Sequence, residues 1–96
     1  MNKEQYLLEC LIEEAAEVVQ RCTKALRFGL YEIQLDQKLN NLQRLNYELN
    51  DLIGVIEILN ENGIEININN REAIDLKKEK IKKYMDYSKE IGILTE

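Results

Sequence analysis

No proline interrupts the 96 residues, and three of the four glycines stand just beyond long periodic stretches. Proline cannot sit inside a helix without removing a hydrogen bond, and glycine past the last periodic residue is a common helix stop. A chain punctuated this way favours long helices over a turn-rich β fold. The spacing predicts three of them, over 3–28, 41–61 and 71–90. Gly29 closes the first, with Lys24 and Arg27 well placed against its negative end. Asn40 and Gln43 have capping-box spacing before the second, which ends at Asn62-Gly63. Asn69 or Asn70 caps the third, which ends at Gly92. Residues 30–41 read as a connector or a short extra helical turn. IEININ, 64–69, alternates like a strand but has no second strand to pair with. It reads as an extended linker, or as the start of a pairing across an oligomer.

The fold class is therefore all-α: an antiparallel helical hairpin plus a third long helix, in a single domain over 1–96. The second helix is apolar on more than one side, because Leu42, Leu49 and Ile53 lie beyond its main stripe. Three helices cannot easily cover both sides, so a homodimer or homotetramer with a four-helix bundle at the interface is expected.

A net charge of −5 repels a phosphate backbone, which argues against nucleic-acid binding. No run is apolar enough to span a membrane, and the first residues do not form a signal peptide, so a cytoplasmic protein is expected. Cys10 and Cys22 lack zinc-type spacing and read as reduced thiols. There is no histidine, which excludes a Ser-His-Asp triad and imidazole ligands. Any chemistry has to come from carboxylates, lysines, arginines, tyrosines or a bound metal.

The carboxylates are oddly placed. In EEAAE, Glu13 to Glu17, the acids Glu14 and Glu17 lie one turn apart beside the apolar stripe drawn by Leu8, Leu11, Ala15, Val18 and Cys22. In ELND, Glu48 falls in the middle of the second helix's apolar face. Asp51 lies one turn on, between Val55 and Ile58. Unpaired carboxylates on a buried side cost several kcal/mol. Two resolutions are open: Glu48 pairs with Arg21 or Lys24, or both acidic pairs converge across the hairpin as a site for Mg²⁺ or Mn²⁺.

EEAAE followed by ELND resembles the EExxE…ExxD signature of the MazG-like all-α nucleoside triphosphate pyrophosphohydrolases, a superfamily that includes dimeric dUTPases and dCTP pyrophosphatases. EEAAEVVQRCTKALRFG and NLQRLNYELNDLIGVIEIL read like its compact bacterial and phage members. The likeness spans about residues 9–62. The spacer between Glu17 and Glu48 is somewhat longer than in many members. Lys80-x-x-Lys83-Tyr84 matches only in part the Lys/Asn-x-x-Arg-Tyr pattern of the following helix.

The resemblance implies that Glu14, Glu17, Glu48 and Asp51 are metal ligands and catalytic residues, with Glu13 outside the ligand set. It implies hydrolysis of a nucleoside triphosphate between the α and β phosphorus atoms, with Mg²⁺ bridging the phosphates. Lys24, Arg27, Lys80 and Lys83 are the candidates for neutralising the polyphosphate. Asn41 and Asn50 could read a base or sugar, and Asn41 is equally a cap. The competing expectation is a non-enzymatic helical interaction module whose acids serve solubility and register.

Overall fold

A computed structural model describes residues 1–96. The chain is all-α, with α1 at Lys3–Phe28, α2 at Asn41–Glu61 and α3 at Arg71–Glu90. It divides into two compact units, Met1–Ile66 and Asn67–Glu96. The first unit is the α1–α2 hairpin, and the second is α3 with the segments that flank it.

Asparagine starts every helix. The Asn2 side chain accepts from the Gln5 amide at 2.8 Å, and the Gln5 side chain accepts from the Asn2 amide at 2.9 Å. Asn40 and Gln43 repeat this reciprocal pair at α2 with the same distances. Asn70 accepts from the Ala73 amide at 3.0 Å. The first amides of a helix have no partner within it, and these oxygens supply one.

The turn between α1 and α2 contains no helix. Gly29 takes φ 104°, a conformation that a side chain would strain, and its amide closes α1 on the Ala25 carbonyl at 2.9 Å. The chain then runs back so that the Glu32 and Leu30 carbonyls accept from the Asn41 and Leu42 amides at 3.1 and 2.9 Å. Those two amides open α2, so the loop itself satisfies donors that would otherwise be orphaned. Asn41 is 1% exposed, and its side-chain amide donates to the Gly29 carbonyl at 2.8 Å and to Glu32 Oε1 at 3.3 Å. Arg44 Nη1 donates to Gln34 Oε1 at 2.7 Å. Asn41 thus ties the loop to the helix it opens, while Asn40 is the cap.

At the far end, Lys3 Nζ donates to Asn62 Oδ1 at 3.3 Å. The start of α1 meets the end of α2, and the end of α1 meets the start of α2, so the hairpin is antiparallel. After α2, residues 64–70 are irregular and form no strand. The Ile66 amide bonds Asn60 Oδ1 at 2.7 Å, which turns the chain back on the end of α2.

The hairpin seam differs from the stripe that the sequence suggests. On α1 the covered positions are Leu7, Cys10, Leu11, Glu14, Val18, Arg21, Lys24 and Ala25. Leu8, Ala15 and Cys22 face outward, and so do Ile12, Val19 and Leu26. α1 therefore carries two apolar stripes side by side, each with a seven-residue repeat, and the one bearing Glu14 and Arg21 meets α2. On α2, Leu45, Glu48, Leu52, Val55, Ile56 and Leu59 are covered, whereas Asp51 and Ile58 are exposed. Leu49 and Ile53 also remain open, at 39% and 41%.

Only Ile56 and Leu59 count as buried apolar side chains, and Leu59 is fully enclosed. So thin a core makes Leu59 hard to replace. Leu59→Ala removes packed methyl groups that neighbours cannot refill and is expected to cost about 2–4 kcal/mol. A lower midpoint in a urea titration with an unchanged slope is the expected result.

Candidate metal centre

The seam places Glu14 of α1 against Glu48 of α2, with Glu17 one turn along α1. One carboxylate oxygen from each of the three lies within 4.8 Å of the others. Glu14 and Glu48 are half-buried and Glu17 is exposed, so the group opens to solvent on the Glu17 side. Oε2 of Glu14 and Oε2 of Glu48 are closed off from water and have no hydrogen-bond partner.

Acids this close resist ionisation. Glu48 is pushed up from its ordinary 4.5 to about 7. The largest cause is a side-chain hydrogen bond with Glu17, followed by burial and then by the charges of Glu17, Asp51 and Glu14. That bond exists only when one of the two groups carries a proton; two ionised carboxylates are both acceptors and make none. Glu14 is also raised, first by burial and then by the charges of Glu17, Asp51 and Glu13.

No cation offsets this repulsion. Arg71–Asp75, within α3, is the only ion pair in the chain. The expectation that Glu48 pairs with Arg21 or Lys24 is thus not met. Arg21 is 7% exposed with Nη1 unpartnered, while Lys24 Nζ lies over the Phe28 ring at 5.7 Å. Convergence across the hairpin is what brings the acids together.

Asp51 lies outside the three-carboxylate group, with its exposed side chain acting on Glu14 and Glu48 through its charge. Periodicity put Asp51 on the buried side of α2; the seam runs closer to Glu48, which leaves Asp51 at the open rim. Arg27 shares the Phe28 ring with Lys24, at 5.6 Å, so both cations gather at the end of α1. Lys80 and Lys83 are exposed residues of α3, in the second unit. Asn50 donates to the Asn46 carbonyl at 2.7 Å, within its own helix. Arg21 stands on the seam face of α1, and its spacing of four residues after Glu17 was the signal available for it.

The donor set fits a hard divalent cation. It consists of oxygen ligands only, two of its three glutamates carry an oxygen closed off from water without a hydrogen-bond partner, and it is open to water on the Glu17 side. Compared with protein-family models, with curated proteins and with solved structures, the chain has no match. No helix is long and apolar enough to cross a membrane.

Proposed function

We propose that the protein is a Mg²⁺-dependent nucleoside triphosphate pyrophosphohydrolase that releases a nucleoside monophosphate and pyrophosphate. One observation carries the reading: three glutamates from two helices present converging oxygens, and two of those glutamates each have an oxygen closed to water with no hydrogen-bond partner. A helical pair gains nothing in stability from such a group without a cation. The resemblance of EEAAE and ELND to the pyrophosphohydrolase signature supplies the substrate class.

Glu14, Glu17 and Glu48 would hold the cation, with Asp51 at the rim completing the acid set. Bound Mg²⁺, for which Mn²⁺ can substitute, supplies neutralisation of phosphate charge and polarisation of the phosphoanhydride. In-line phosphoryl displacement asks the protein mainly for positioning and charge balance. Lys24, Arg27, Lys80 and Lys83 are the candidates for neutralising a polyanion, and Lys24 and Arg27 gather at the Phe28 end of α1. The apolar faces left open on both hairpin helices suit a homodimer or homotetramer that buries them in a helical bundle.

The test is a panel of nucleoside triphosphates assayed for pyrophosphate release with and without Mg²⁺. Release that requires both the metal and Glu48 is the expected result. Those same open faces also favour a second reading, a helical interaction module. That reading predicts no Mg²⁺ or Mn²⁺ uptake in a calorimetric titration with a non-hydrolysable triphosphate.

A further inference from the structure

The four arginines of the chain are not alike. Arg44 donates to Gln34, Arg71 pairs with Asp75, and Arg27 lies against Phe28. Arg21 alone is buried, at 7% exposure, and its Nη1 is closed off from water without an acceptor. A guanidinium is always charged and presents five donors in a planar fork. Burying one without a counter-charge is costly unless something else meets it.

The glutamates are not that partner. The charges acting on Glu14 and Glu48 come from carboxylates, and Arg21 forms no ion pair with either. Arg21 nevertheless shares their side of α1. It follows Glu17 by four residues and Glu14 by seven, which sets it about 6 Å and about 10 Å further along the helix axis. The seam therefore carries an acid cluster without a cation and, one turn on, a cation without an anion. A polyphosphate bound to cations at the glutamates and extending along α1 would satisfy both.

We infer that Arg21 is a phosphate-binding residue of this site, and that its guanidinium takes phosphate oxygens of the substrate beyond those held at the glutamates. This rests on the divalent-cation reading of the cluster. The guanidinium fork matches phosphate oxygens two at a time, which a lysine cannot reproduce.

The probe is inorganic tripolyphosphate, titrated by calorimetry into wild type, Arg21→Lys and Arg21→Gln in the presence of Mg²⁺. Arg21→Gln is expected to keep its helical circular dichroism and its Mg²⁺ uptake but to bind tripolyphosphate at least tenfold more weakly. Arg21→Lys is expected to fall between the two. Unchanged affinity in Arg21→Gln would overturn the inference, as would loss of Mg²⁺ uptake together with the anion. A second arm separates this inference from the metal reading. With Glu14, Glu17 and Glu48 all changed to glutamine and divalent ions chelated, tripolyphosphate still raises the melting temperature if Arg21 binds it. Adding Arg21→Gln to that background removes the shift. Should wild type take up no Mg²⁺, the metal reading fails, and this arm alone decides the role of Arg21: an Arg21-dependent shift upholds it, and no such shift overturns it.

Discussion

Glu48→Gln is expected to abolish Mg²⁺ uptake and to lower pyrophosphate release by at least about a thousandfold, while making the metal-free protein more stable. Glutamine keeps the size of the side chain and one acceptor oxygen, so the α1–α2 seam has no reason to repack. It cannot carry the negative charge that a hard cation requires, nor be repelled by Glu17, Asp51 and Glu14. Its amide can donate to the Glu17 carboxylate, the bond that Glu48 makes only when protonated. At pH 8 the gain is expected to be about 1 kcal/mol, kept small because the site is open to water on the Glu17 side. Near pH 4 the difference should vanish, since Glu48 is then protonated in both the folded and the unfolded chain. Opposite movement of activity and stability in one variant marks a residue held for function; a purely structural glutamate would lose stability on replacement. Thermal melts at the two pH values, beside a pyrophosphate assay, read both effects.

The metal-free fold should weaken as pH rises, and Mg²⁺ should reverse the trend. Folded Glu48 keeps its proton up to about pH 7, whereas an unfolded glutamate releases it near its ordinary 4.5. Between those values the folded chain binds more protons than the unfolded one, so its stability falls with increasing pH. The contribution is complete below about 4.5 and is lost as pH passes through about 7. Glu14, shifted in the same direction, adds to the decline. Cation binding needs the ionised carboxylates, so it displaces these protons and strengthens with pH. At a Mg²⁺ concentration a hundred times its dissociation constant, the gain is about 2.7 kcal/mol. Melting curves from pH 4 to 8 should fall with chelator and diverge upward with Mg²⁺ above neutrality. Parallel curves would mean that the cluster binds no cation.

The ends of the helices were legible because each rests on a local rule. Asn40 with Gln43, Asn62-Gly63 and Gly92 carry their signals within a few residues, and the predicted spans 3–28, 41–61 and 71–90 coincide with those observed. The capping box of Asn2 and Gln5 obeys the same rule and went unread. The facing of α1 was less legible. Its two apolar stripes compete, and the one with fewer acids, through Leu8, Ala15 and Cys22, looked like the core. What turns α1 is contact at a distance: Asn41 and Glu32 fix the loop to Gly29, and Leu7, Leu11 and Val18 then meet α2. Once α1 is turned, Glu14 and Arg21 move from the border of the seam into it.

The site followed the same division. That Glu14, Glu17 and Glu48 converge could be foreseen from like charges placed where burial makes them costly. The position of Asp51 could not, because a shift of a fraction of a turn decides whether a side chain at the edge of a face is covered. Arg21 and Lys24 stood as one open resolution for Glu48, because opposite charges nearby are expected to pair. The structure instead leaves Glu48 and Arg21 without an ion pair.

Anomalous diffraction from crystals grown with Mn²⁺ tests the central claim most directly. Anomalous density among the carboxylates of Glu14, Glu17 and Glu48, with Asp51 at its edge, is the expected result. Density confined to surface acids elsewhere, with those three side chains unmoved and no ion among them, would contradict it.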